Sequence, residues 1–203
     1  NLQIMNPTEV NRYLSEEMAD PFKIGGANSD GVYGWAKFMG EMALKSYNKQ
    51  FGLKGVSCRL FTVYGPRENE SHAIIAFIAR ALLKQDPYEV WGSGNQDRNF
   101  TYVDDVSRAT ILALNLNIKN NHEIFNIGTG KGTSVLEMIQ YFNEVSGIEL
   151  PYEIGPRRAG DITEIFANVS YSNATLGWRA QRNVKDALND AWNWEQRQAK
   201  SND

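Results

Sequence analysis

The spacing of apolar and polar positions changes several times along the chain, and each change predicts an element. Over Val32 to Gln50, Phe38 and Met42 recur four apart on one face while Lys37, Glu41 and Lys45 recur four apart on another. That is the pattern of a surface helix, which Gly52 and Gly55 close. The run Val56 to Tyr64 is rich in β-branched and aromatic residues and stops at Gly65-Pro66, predicting a buried strand that leads into a loop. Ile74, Phe77, Ile78, Ala81 and Leu82 return to helical spacing and predict a helix over 71–84. Two short strands follow, Tyr88 to Trp91 and Asn99 to Val103, parted by Gly92 and Gly94. A helix then carries Val106, Ala109, Ala113 and Leu116 on one face, and a strand from Glu123 to Ile127 runs into Gly128-Thr-Gly130-Lys-Gly132. Ser134 and Glu137 form an S-x-x-E capping box ahead of the stripe Val135, Met138, Ile139 and Phe142. The last helix shows Val184, Ala187, Leu188, Ala191 and Trp192 on one face, with Asn183 as its cap. Asn1 to Met5 read as the end of a strand and Asn6 to Asn28 as loop. Strands alternating with helices predict an α/β fold.

Composition narrows this picture. A chain of 203 residues suffices for one sizeable core, or one core with a small lobe. The 21 basic and 24 acidic residues leave a formal net charge of -3, so no global field draws the protein to nucleic acid or an anionic membrane, and any anionic ligand must be held by local positive groups. No run approaches the roughly 18 apolar residues that a membrane-spanning helix needs. Cys58 is the single cysteine, placed in the predicted buried strand; it reads as a core thiol in a reducing, cytoplasmic setting. Trp35, Trp91, Trp178, Trp192 and Trp194 are expected mainly in the core or an interface.

Several residues could carry chemistry. Tyr33 and Lys37 lie four apart on the first helix, so phenol and ammonium share a face. A fixed positive charge beside a phenol stabilises the phenolate, making a base for a sugar hydroxyl; the same spacing also suits an ordinary solvated helix face. The loop at 128–132 has neither dinucleotide nor P-loop spacing, and its glycines are expected to serve a tight turn. Arg98 follows a glycine-marked loop and Arg157-Arg158 precede Gly160-Asp161, so either place could grip a diphosphate or be plain surface. His72 opens a predicted helix, where it is either an acid/base group or a capping residue. No metal-ligand cluster is expected.

The order of these segments resembles the extended short-chain dehydrogenases/reductases that act on nucleotide sugars. Tyr33-Gly-Trp-Ala-Lys37-Phe-Met-Gly-Glu41 looks like the family's Y-G-x-x-K helix with its trailing G-E, and Arg59 to Arg67 like the strand and loop behind it. Trp91 to Asp105 is similar to G-x-G-x-x-x-R-x-F-x-x-V-D-D, and Asn126 to Gly130 to N-I-G-T-G. Arg158-Ala-Gly-Asp161 with Leu176-Gly-Trp178 is similar to the closing segment. The resemblance implies the C-terminal part of a doubly wound Rossmann-type parallel sheet interleaved with a small α/β substrate-binding lobe. Residues 1–66 and 99–130 would form the sheet domain, and 67–98 and 131–203 the nucleotide-sugar lobe.

It also implies roles. Tyr33 would be the acid/base, and Lys37 would hold the nicotinamide ribose and favour the phenolate. Tyr64 would stand at the cofactor, lining the sugar pocket with the loop after it. Arg98 and Arg158 would hold the nucleotide diphosphate, and Asp161 the nucleotide ribose. The family's G-x-x-G-x-x-G loop has no counterpart among these residues, and the choice between NAD and NADP goes with it. Asn6 and Pro7 stand where the family has a hydroxyl residue beside the tyrosine; Thr8 would substitute, and Glu9 matches an acidic catalytic residue of the dehydratases. Glu70-Ser-His72 resembles a segment of GDP-fucose synthase whose histidine is an acid/base group. The function implied is an NAD-dependent nucleotide-sugar epimerase/dehydratase, foremost a UDP-sugar 4-epimerase, and the resemblance also implies a helix-paired homodimer. The alternatives are a GDP-sugar epimerase/reductase and a non-catalytic nucleotide-sugar-binding fragment.

Overall fold

The computed structural model describes residues 13–19, 31–68, 78, 87–118, 122–157 and 164–201. In chain order these form β1 (Tyr13–Leu14), a 3-10 turn (Glu16–Ala19), α1 (Gly31–Phe51), β2 (Gly55–Leu60), β3 (Val63–Tyr64) and β4 (Tyr88–Trp91). Then come β5 (Asp97–Arg98), β6 (Thr101–Tyr102), α2 (Val103–Leu114), β7 (His122–Ile127), β8 (Thr133–Ser134) and α3 (Val135–Ser146). The chain closes with β9 (Tyr152–Gly155), β10 (Glu164–Ala167), α4 (Ser170–Leu176) and α5 (Val184–Ser201).

Parallel pairing dominates, as an α/β fold requires. β2 and β7 run side by side from Gly55 opposite His122 to Leu60 opposite Ile127. β3 pairs with β6 and β4 with β9, also parallel. A four-stranded sheet has the order β1-β10-β5-β8, in which only β5 and β8 are antiparallel. Parallel neighbours need a crossover, and α2 supplies one between β2 and β7.

Two apolar clusters hold these layers. Alternate residues of a strand share a face. Val56 and Cys58 of β2, with Phe125 and Ile127 of β7, meet Val106, Ala109 and Ala113 of α2, with Leu176 and Trp178 from the α4 end of the chain. The other cluster packs α3 on α5 through Met138, Ile139, Phe142, Leu188 and Trp192, over Tyr64, Phe100 and Tyr102. Phe142 meets Trp192 edge to face at 5.5 Å between centroids. Ile78, from the helix predicted over 71–84, is fully buried in this cluster; the rest of that prediction lies outside the described residues.

The helix ends follow local chemistry. Ser134 Oγ accepts from Glu137 N at 3.2 Å while Ser134 N donates to Glu137 Oε2 at 2.8 Å, the predicted capping box, and Gly147 closes α3 with φ 68°. Asn183 Oδ1 accepts from Asp186 N at 2.8 Å at the start of α5.

Three expectations need correction. Asn99 to Val103 is not one strand: β6 stops at Tyr102 and Val103 opens α2, because Asp104 and Asp105 fall in the first helical turn, where negative charge is favoured. The stretch read as loop over 6–28 contains β1 and the 3-10 turn at 16–19, held by pairing with distant β10. Cys58 is only half-buried, since β2 has one apolar and one polar face; burial still raises its thiol above the usual range. Of the tryptophans expected in the core or an interface, Trp178 and Trp192 are core residues, while Trp35 and Trp91 are exposed on this chain at 43% and 38%. No helix among the described residues is long and apolar enough to cross a membrane.

Candidate active site

Helix α1 carries Tyr33 and Lys37 near its start. The Lys37 ammonium lies 5.3 Å from the Tyr33 ring centroid, within cation-π range, and both side chains are exposed. The spacing read from the sequence therefore brings the two groups together. Among the described residues, Phe38 and Leu44, the latter lying over Gly55 of β2, give this helix apolar contacts. Gly34 and Phe38 are buried, while Val32, Trp35 and Met39 face outward.

Polar contacts add to these apolar ones. Arg59 of β2 donates from Nε to Glu41 Oε1 at 2.8 Å and from Nη2 to Glu41 Oε2 at 2.7 Å. Arg59 Nη1 donates to the Glu16 carbonyl at 2.8 Å. The Glu16 carboxylate accepts from Asn126 N of β7 at 2.9 Å. Ser57 Oγ and His122 Nε2, on the same polar face of the β2–β7 pair, are 3.0 Å apart. Sequence reasoning missed this network. Glu41 stands in the sequence as a charged position on α1 and as the end of the G-E motif, and nothing local marks Arg59, 18 residues on, as its partner.

The second group of residues gathers around β5. Arg98 is half-buried between Ile165 of β10 and Thr133 of β8, and its Nη1 donates to the Asp97 carbonyl at 2.9 Å. The turn before it needs glycine: Gly92 and Gly94 have φ 75° and 76°, and a Cβ on Gly94 would sit 2.7 Å from Leu136 Cγ. A Cβ on Gly92 would lie 3.7 Å from Arg157 Cγ, so the two arginine-bearing loops come together.

Behind Arg98, Asn99 is 2% exposed, and its Oδ1 accepts from Thr129 N at 3.0 Å and Thr101 Oγ1 at 3.1 Å. This amide ties the 128–132 loop to the Arg98 strand. Sequence reasoning also missed it. The glycines of that loop serve packing, as expected: a Cβ on Gly128 would meet Ala167 Cβ and Asn99 Oδ1 at 2.8 Å, and one on Gly132 would run into the Phe166 ring.

Tyr64, expected to face cofactor and sugar, lies instead in the core. It is 2% exposed, its hydroxyl donates to the Val184 carbonyl at 3.4 Å, and its ring meets Phe100 and Tyr102 edge to face. Burial raises its phenol well above the usual range, and the neighbouring Tyr102, Asp105, Asp186 and Glu68 add to the rise. The loop after it turns through Arg67, the one non-glycine among the described residues with positive φ, at 70°; its guanidinium stacks 4.8 Å from the Trp194 ring centroid. Thr8, Glu9, His72, Arg158 and Asp161 lie outside the described residues.

A parallel α/β framework with a tyrosine and a lysine one turn apart on an exposed helix defines a recognisable class. The chain belongs to the NAD dependent epimerase/dehydratase family, whose model matches residues 7–128. The UDP-glucose 4-epimerase of Lactobacillus helveticus is 32% identical over 82% of this chain and 56% of its own length. The crystal structure of UDP-glucose 4-epimerase from Thermotoga maritima with UDP-glucose superposes with a TM-score of 0.79 at 29% identity, covering 86% of this chain and 56% of that one. UDP-glucose 4-epimerase from Stenotrophomonas maltophila with bound NAD and formylated UDP-arabinopyranose gives 0.79 at 28%, covering 88% and 59%. The chain thus spans little more than half the length of the relatives it matches.

Proposed function

We propose that this chain forms the tyrosine-lysine and nucleotide-sugar side of a cytoplasmic, NAD-dependent UDP-sugar 4-epimerase. The observation that carries the reading is the Lys37 ammonium set over the Tyr33 ring on an open helix face, within a family whose members include UDP-glucose 4-epimerases. The donor chemistry fits a nicotinamide nucleotide: an ammonium with three N–H groups and a phenol stand together on one exposed face, suited to ribose hydroxyls. When bound, NAD supplies the hydride acceptor and donor for the sugar carbon.

The remaining work belongs to this chain. Tyr33 takes the proton from the sugar hydroxyl as the C–H bond is oxidised and gives it back on reduction. Lys37 stabilises the phenolate through its nearby charge and anchors the cofactor ribose. The Arg98 guanidinium, with Arg158, matches the geometry of diphosphate oxygens, and Asp161 accepts from the nucleotide ribose. The strand that begins three residues after Asp161 is paired beside Arg98, which supports a common nucleotide site. Thr8 assists the tyrosine, and Glu9 and His72 are the further acid/base candidates. The outward Val32, Trp35 and Met39 of α1 support pairing of two copies through this helix.

The natively produced protein supplied with UDP-glucose should form UDP-galactose, read from the anomeric proton signals. Tyr33→Phe should abolish this conversion while UDP binding stays nearly unchanged. Undiminished turnover in Tyr33→Phe would remove Tyr33 from the mechanism, and UDP binding without any turnover in the wild type would favour a binding protein.

A further inference from the structure

We propose that Arg59 is a positioning residue: it holds the Tyr33–Lys37 helix in fixed relation to the sheet and to the segment at Glu16. This rests on the epimerase reading for its catalytic consequence, and on the hydrogen-bond geometry for the anchoring itself.

Glu41 lies four residues after Lys37 and eight after Tyr33, so all three share a helix face. At 1.5 Å per residue they are separated by about 6 and 12 Å along the axis. A slide or roll of α1 at Glu41 is therefore carried rigidly to both. The apolar docking of the helix, through buried Phe38 and through Leu44 over Gly55 of β2, is non-directional, so among the described contacts it is the polar ones that set slide and roll.

The Arg59–Glu41 contact is a two-pronged fork, with bonds of 2.8 and 2.7 Å and both side chains 14% exposed. Two parallel bonds specify orientation as well as distance, which a single ammonium does not. The third Arg59 bond, to the Glu16 carbonyl, brings in the turn that follows Thr8 and Glu9 in sequence. Glu16 is in turn fixed to β7 by Asn126 N. One guanidinium thus links α1, β2 and the 3-10 turn, and through Glu16 it reaches β7. Catalytic groups must be held to within about 0.5 Å of their working geometry, and a displacement of about 1 Å can cost on the order of a hundredfold in rate.

The test compares Arg59→Lys, which keeps the charge and loses the fork, with Glu41→Gln. In the natively produced protein both should lower kcat for UDP-glucose by about tenfold or more, with KM changed by less than about twofold. Both variants retaining kcat within about threefold of the wild type would overturn the proposal. Absence of turnover in the wild type would count against the epimerase reading alone, so a second measurement reads the helix directly. Spin labels at Lys49→Cys on α1 and Ser170→Cys on α4, in a Cys58→Ser background, report the distance from helix to sheet layer. Glu41→Gln should shift or broaden that distance distribution. An unchanged distribution would overturn the anchoring role whatever the activity.

Discussion

Removing the Asp105 carboxylate should cost more stability than any surface change on the same helix. The side chain is 1% exposed at the start of α2. A single oxygen, Oδ2, accepts from both Gln181 N and Arg182 N at 2.9 Å, and Oδ1 receives Arg108 Nη2 at 2.6 Å. Two amide bonds to a charged acceptor are together worth about 3 kcal/mol or more. The Arg108 pair adds on the order of 0.5 kcal/mol, because the arginine side is 37% exposed and solvent screens it. Gln181 and Arg182 are exposed, so water recovers part of the loss, and Asp105→Ala should cost about 2–4 kcal/mol. Asp105→Asn can keep an oxygen facing the two amides but turns an N–H toward Arg108, and should cost about 1–2 kcal/mol. Urea unfolding followed by circular dichroism measures both. A cost below about 1 kcal/mol for Asp105→Ala at an unchanged denaturant slope would refute the reasoning.

Two further outcomes follow from other sites. Burial, and then the hydrogen bond to Asp190 at 3.0 Å, push the Tyr102 phenol up to about 12 from an ordinary value of 10. Its folded value lies above its unfolded one, so this stabilisation is complete below pH 10 and is lost as pH rises toward about 12. The loss in urea midpoint between pH 9 and pH 11 should therefore be smaller in Tyr102→Phe; equal losses would discount the Tyr102 contribution. Arg98→Ala should weaken UDP binding by about 1.5–3 kcal/mol in a calorimetric titration, and unchanged affinity would place Arg98 outside the nucleotide site.

Local patterns were legible where the cause is local. The i to i+4 spacing on α1, the Ser134 capping box and the Asn183 cap each depend on residues within one or two turns, and each could be read directly. The Tyr33–Lys37 pair belongs to the same kind. Strands β9 and β10 were not foreseen, since four residues carry little period and their existence depends on partners far along the chain. Tyr64 shows the same gap for a side chain: its motif position suggested a site, but Phe100, Tyr102 and Val184 surround it only after folding. The Arg59–Glu41 fork and the Asn99 tie were hidden for that reason too.

The pairing of β1 with β10 matters for how the protein is made. Tyr13 is matched to Phe166, 153 residues later. At about 5–20 residues per second, the partner strand leaves the ribosome roughly 8 to 30 s after β1 does. Throughout that interval β1 has no β10 edge to join, so the four-stranded sheet is completed only once residue 167 has emerged. Chaperone protection of the nascent chain, or slower translation after residue 167, would act on this step before any other.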